Sequence, residues 1–345
     1  MKDRLIYIDR LKGFAIFLVV MGHVIQNNVA NGTQNALFQI IYSFHMPLFF
    51  FLSGYIADKT TKINTINTFL KFIKNKSISL LLPMLIWPLI HKYCFTNDVD
   101  FSFDTVFSLI INEIKSPGLW FLKMLFEVFI CYSLFYIISN WLRFKNKIIT
   151  DSSIIILILG ILISLSFILN DNSFITFSLN FSFFMFGVLV SKYDFFKKIL
   201  ENKLILSFSL ILFILLVGHY NFSEQDLIKM KLLKLVISIL ASIVFYSLSK
   251  MLIFNSKTDS YICLFGKKSL IIYVTHFAFF SILPKINLLP HDASFILVFL
   301  ITTPISVFLI LFCIMIGKIV ALLPFTNLLF YGIRSKDILT ISKNV

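Results

Sequence analysis

Apolar residues run along this chain in ten stretches of roughly 17 to 25 positions, long enough at 1.5 Å per residue to cross a bilayer as helices. They cover Ile8–Asn28, Leu37–Ala57, Ser77–Tyr93, Gly118–Asn140, Ser153–Leu169, Phe174–Val190, Leu204–His219, Leu232–Leu252, Ser269–Leu283 and Ser294–Leu323. The last is long enough to be tilted, or broken near Pro304. Polar residues gather between the stretches, and their charges alternate in sign. Even-numbered connections and both termini hold most of the 31 Lys and Arg, whereas the odd-numbered connections hold few of them and carry Asp98, Asp100, Asp104, Glu113, Asp171, Glu224 and Asp226. The positive-inside rule then predicts an even number of spans with both termini cytoplasmic. The expected fold is an all-α, polytopic membrane protein of about ten transmembrane helices.

Composition agrees with this pattern. The chain is 58% hydrophobic and 14% charged, with 42 Phe among 345 residues, too little polar surface for a soluble domain of this size. A formal charge of +14 raises the question of nucleic acid, but its placement is explained by topology, so no nucleic-acid partner is expected. Cys94, Cys131, Cys263 and Cys313 are scattered without metal or redox spacing. The N-terminus looks like a signal peptide, yet polar groups interrupt its apolar run and no clear small-residue processing site follows. It reads as a retained first span. The expectation is one integral membrane domain over 1–345, multi-pass in the inner (plasma) membrane, with no appended soluble domain.

The first stretch carries an unusual set of polar residues: Asp9, Arg10, Lys12 and His23. At about 100° per residue, the step from Lys12 to His23 returns to within roughly 20° of one helix face. The two side chains are then on the order of 16 Å apart along the axis. Asp9 lies at the i,i+3 spacing that allows it to pair with Lys12, while Arg10 points the other way. Ionisable groups at such depth are costly and mark functional sites more often than filler positions. A neutral imidazole at His23 suits proton abstraction from an alcohol.

Other spans add candidates. In the second, FHMPLFFFLSGY sets His45 beside Pro47, whose missing N–H leaves a carbonyl near residue 43 without its helical partner. Ser53 and Gly54 in the same run read as small packing residues. In the fourth, Trp120, Lys123 and Glu127 share a face, and Lys123 and Glu127 stand at i,i+4 as an intramembrane ion pair. In the ninth, Ser269, Tyr273 and His276 share a face, as substrate contacts or as polar glue in a bundle. His91, His219 and His291 fall at span ends or in outer loops. No metal cluster, phosphate-cradling glycine loop or nucleophile elbow is present, so no metal is expected.

The order DRLKGFAIFLVVMGH, FHMPLFFFLSGY, LWFL and SLIIYVTH across ten spans resembles the membrane acyltransferase-3 family, within its fucose-4-O-acetylase-like and surface-polysaccharide O-acetyltransferase branch. The resemblance implies transfer of an acyl group, usually acetyl, from cytoplasmic acetyl-CoA to a hydroxyl of a surface polysaccharide or lipid-linked oligosaccharide. It implies His23 as the catalytic base, with His45 and Asp9 in the catalytic set. Lys12 stands where many members carry arginine, so charge is kept but the bidentate fork is not.

Together, residues and resemblance predict that Arg10, Lys12, Lys76, Lys267 and Lys268 hold the anionic CoA nucleotide. His23 would deprotonate the acceptor, and a polar group such as His45 would stabilise the oxyanion. Trp120, Lys123, Glu127, Ser269, Tyr273 and His276 would contact or support substrate. Two other classes fit the intramembrane His, Lys and Glu: a secondary transporter or flippase for a glycan precursor, and a non-catalytic assembly partner.

Overall fold

A computed structural model of the chain describes residues 5–95, 102–142, 145–252, 255–282, 287–290 and 292–334. The extreme termini, His291, the side chain of Cys94 and the end of the ninth apolar stretch at Leu283 lie outside them. Fifteen α-helices make up the described residues, whose β structure is an isolated bridge between Val29 and Leu289. They are α1 (Ile6–Asn28), α2 (Ala36–Thr60), α3 (Ile66–Lys76), α4 (Leu82–Phe95), α5 (Phe103–Lys115), α6 (Trp120–Trp141), α7 (Lys147–Leu169) and α8 (Ser173–Lys192). There follow α9 (Asp194–Leu200), α10 (Lys203–Val217), α11 (Ile228–Met251), α12 (Ser256–Lys267), α13 (Ser269–Ile282), α14 (Phe295–Val320) and α15 (Pro324–Tyr331).

By length and apolarity, seven helices can cross a membrane, or nine if the bent pairs α9–α10 and α12–α13 each count as one span. α1 is not among them. Its 23 residues are long enough, but Asp9, Arg10, Lys12 and its amide-rich end lower its hydropathy. The expectation of ten is therefore met only in its coarser form, a multi-pass helical membrane protein. The third apolar stretch begins earlier than expected, because α3 continues through a π-helical turn at Ser77–Leu81 into α4. α14 runs unbroken through Pro304.

The chain divides into two compact units. The first comprises Met1–Thr60, Leu157–Ser269 and Lys285–Leu311. Two backbone-to-backbone crossings define it, and both depend on glycine. A Cβ on Gly13 would strike the Ile262 carbonyl and one on Gly266 the Asp9 carbonyl, so α1 and α12 approach with no side chain between them. Gly54 and Gly187 do the same for α2 and α8, meeting the carbonyls of Phe184 and Phe51. The packing role expected of Gly54 is thus observed.

The second unit comprises Thr61–Ile156, Leu270–Pro284 and Phe312–Val345. There α15 packs on α4: the Trp87 indole N–H donates to the Phe330 carbonyl at 2.8 Å. α15 closes at Gly332, whose φ of +63° turns the chain in the left-handed region glycine favours.

Candidate active site

The first unit gathers Gly22 and His23 of α1 and Phe38 and His45 of α2 around the ring of Tyr42. Gly22 leaves room on α1: its missing Cβ would lie 2.7 Å from Cε2 of Tyr42. The Tyr42 ring therefore seats against α1 beside His23, with ring centroids 6.3 Å apart at 81°. On its other side it lies 4.6 Å from the His45 ring. Phe38 stacks on Tyr42 at 3.8 Å and Phe222 meets it edge-on at 5.1 Å, fixing the tyrosine in place. The backbone N–H of Phe222 donates to Gln39 Oε1 at 2.6 Å, tying the 222–224 turn to α2. His23 and His45, expected in one site, are thus brought together. Tyr42, which lies between them one helical turn before His45, was not expected, and its position alone does not mark it in the sequence.

The kink supplies the rest of the geometry. Pro47 has no N–H for the Ser43 carbonyl, and the hydroxyl of Ser238 on α11 donates to that oxygen at 2.9 Å. His45 is 3% exposed, and its Nδ1 lies 2.8 Å from the Ile41 carbonyl. A carbonyl only accepts, so Nδ1 carries the proton and the neutral ring presents the Nε2 lone pair. His23 Nδ1 lies 3.3 Å from Gln26 Oε1, a longer contact that favours the same tautomer, and His23 itself is half-buried. The Ile41 bond thus leaves Nε2 as the acceptor of His45, and the Gln26 contact disposes His23 the same way.

At the other end of α1, Arg10 is held by other protein groups. Its Nε and Nη2 donate to the Asp259 carboxylate at 2.6 and 3.0 Å, and Nη1 donates to the carbonyls of Ser249 and Leu252 at 2.6 and 3.1 Å. This fork ties α1 to α11 and α12. Asp9 is buried, with its backbone against Gly266. Lys267 and Lys268 follow Gly266 directly, Lys267 exposed and Lys268 half-buried, while Lys12 is half-buried on α1. A hollow of about 380 Å³ lies on α1 along Arg10, Gly13, Phe14 and Phe17. At 100° per residue that face is about 140° from the Lys12–His23 stripe, so the hollow is not a route between those residues.

The second unit holds the remaining candidates. Tyr273 packs 5.5 Å from Phe121 and 5.7 Å from His276, whose Nδ1 lies 2.9 Å from the Ile272 carbonyl. Trp120 is 43% exposed, whereas its neighbours Leu119, Phe121 and Leu122 are buried. The expected Lys123–Glu127 ion pair does not form: Lys123 Nζ donates instead to the Ile114 carbonyl at 2.8 Å. That carbonyl lies in the last turn of α5, which offers Lys123 a partner that i,i+4 spacing alone does not reveal. Lys76 Nζ lies 3.8 Å over the Phe129 ring. Ser269, at the start of α13, is buried in the first unit. Among the described residues no group of three or more His, Cys, Asp or Glu is placed to hold a metal ion.

Comparison with known proteins bears on what this arrangement does. No solved structure matches the chain. Nodulation protein NolL of Sinorhizobium fredii is 32% identical over 155 residues, 43% of this chain and 42% of that protein. Nodulation protein NolL of Mesorhizobium japonicum is 37% identical over 83 residues, 23% of this chain and 21% of its own length. The chain thus matches less than half the length of either relative. A sequence model described as an acyltransferase domain matches residues 5–322, from the start of α1 to the end of α14, and on that match the chain belongs to the acyltransferase-3 family.

Proposed function

We propose that the protein transfers an acyl group, acetyl in the first instance, from cytoplasmic acyl-CoA to a hydroxyl of a glycan at or beyond the outer face, with His23 as general base. α1 serves as a tenth span, and both termini are cytoplasmic in the inner membrane. The observation that carries the proposal is the His23–Tyr42–His45 cluster: two imidazoles, each disposed to present Nε2, on the helix pair that carries two of the family-like motifs.

The chemistry follows from those atoms. His23 Nε2 takes the proton of the acceptor hydroxyl as its oxygen attacks the thioester carbonyl. The C–O bond forms, the tetrahedral oxyanion collapses, the C–S bond breaks, and the imidazolium returns its proton to the thiolate. The products are an ester and CoA. His45, neutral and with Nδ1 committed to Ile41, offers an acceptor and not a donor. It can accept from a neighbouring hydroxyl of the glycan and so orient the acceptor, which replaces the oxyanion-stabilising part that residues and resemblance together suggested. Lys12, Lys267 and Lys268 meet the nucleotide at the other end of α1, with Arg10 and Asp259 holding α1 and α12 in register behind them.

Labelled acetyl transfer from acetyl-CoA into glycan by membranes carrying the parent or H23A tests the proposal. Loss of transfer by at least 100-fold, with H23A present at the parent level, is expected. Equal transfer by H23A would remove His23 from the mechanism, and glycan uptake without acetyl transfer would make the protein a transporter.

A further inference from the structure

The mechanism just described lacks a hydrogen-bond donor for the oxyanion, and α11 carries a candidate. α2 and α11 run side by side in the same direction, since Ser238 meets Ser43 and Tyr246 lies near Tyr55. Lys234 stands one turn before Ser238 on the same face of α11, level with the Tyr42 turn of α2. Its Nζ lies 5.6 Å over the ring of Tyr220, in the segment whose Phe222 backs Tyr42. Lys234 has neither a carboxylate partner nor a hydrogen-bond acceptor among the described residues. The Tyr220 hydroxyl is likewise buried without a partner among the described residues.

A half-buried ammonium without an anion is costly in a membrane helix. It is stabilised if negative charge develops beside it during the reaction. From this geometry we infer that Lys234 is a catalytic residue that donates a hydrogen bond to the oxyanion of the acyl thioester while His23 carries the acceptor's proton. The step balances within the reaction above: the charge on the former carbonyl oxygen appears beside Lys234 as the C–O bond forms and is lost as the C–S bond breaks, with the ammonium protonated throughout. The inference rests on the proposed acyl transfer and adds a residue to it.

The test uses membrane vesicles containing the full chain and its endogenous glycan, with labelled acetyl-CoA varied in concentration. K234M is expected to lower the maximal rate at least 100-fold while leaving the donor KM within threefold. K234A should recover part of that rate when ethylammonium is added, a rescue a packing defect would not show. K234R, which keeps a cationic donor, covers the case in which the shorter variants fold poorly and should retain a rate within about tenfold of parent. A K234M rate within threefold of parent, a loss confined to donor KM, or absence of rescue in folded K234A would each overturn the assignment. H23A run in parallel separates the two levels: its full activity defeats the acyl-transfer reading itself, whereas inactive H23A beside unimpaired K234M defeats only this one.

Discussion

Ser238 on α11 donates to the backbone carbonyl of Ser43 on α2 at 2.9 Å, the carbonyl that Pro47 leaves without a helical partner. The bond is buried and lies two residues before His45, so it fixes both the kink and the ring. Removing the hydroxyl in S238A strands a carbonyl in an apolar setting, at a cost of about 1–3 kcal/mol. Thermal unfolding in detergent should show that loss. The double variant P47A/S238A should lose less than the two single effects combined, because an alanine in place of Pro47 returns an N–H to the Ser43 carbonyl. Additive effects would mean that the hydroxyl does not serve that carbonyl.

That carbonyl was legible in the sequence, because proline fixes which oxygen loses its partner; the hydroxyl that finds it was not, because Ser238 lies 195 residues away. The same division holds elsewhere. Hydropathy alone locates most of the spans, since a bilayer demands long apolar runs. It passes over α3, the polar first part of the third span, and over α5 and α15, which are short and lie between or beyond the spans; Thr65 with Thr68 and Ser102 with Thr105 cap α3 and α5 locally. His23 and His45 stand out as rare polar residues in apolar runs. Tyr42 does not, because a tyrosine in a Phe-rich helix gives no sign of the ring it will face. Lys234 stands at the edge of the Leu232–Leu252 stretch and reads as a span-end cation until α11 is seen to begin at Ile228, a turn and a half earlier.

The α1–α12 crossing gives a second prediction. A methyl group on Gly266 meets the Asp9 carbonyl, backbone on backbone, so no rotamer change relieves it. G266A should destabilise the protein by about 1–3 kcal/mol and lower acetyl transfer together with the folded yield. Gly160 on α7 has nothing within 4 Å of an added Cβ. There alanine should be neutral or gain up to about 1 kcal/mol from helix propensity. Melting temperatures of the two variants in one detergent check the pair, and equal shifts would show that the crossing is looser than described.

Arg10 offers a third. Its guanidinium bridges three elements at once, with Asp259 taking two of its donors and two carbonyls taking a third nitrogen. R10K keeps the charge but loses the fork. It should melt lower by several degrees, about as D259N does, and R10K/D259N should be little worse than either alone. Because the pair is partly buried, raising salt from about 0.05 to about 0.5 M should change the difference little. If instead R10K melts as the parent and raises only the donor KM, Arg10 binds nucleotide and its bond to Asp259 is incidental.

The two nitrogens of His45 can be separated by substitution. Asparagine places an amide N–H near the position of Nδ1, so H45N can keep the bond to the Ile41 carbonyl at 2.8 Å while presenting no Nε2. Glutamine reaches nearer to Nε2 but does not hold that carbonyl. If His45 orients the acceptor through its Nε2 lone pair, H45N should fold with nearly the parent's stability and lose transfer by roughly 10²-fold. H45Q should be less stable by about 1 kcal/mol but keep more activity for each folded molecule. Melting temperature and labelled acetyl transfer, measured on the same preparations, distinguish the cases. An active H45N would show that the ring is needed only to bind the Ile41 carbonyl, and would leave His23 to manage the acceptor proton alone.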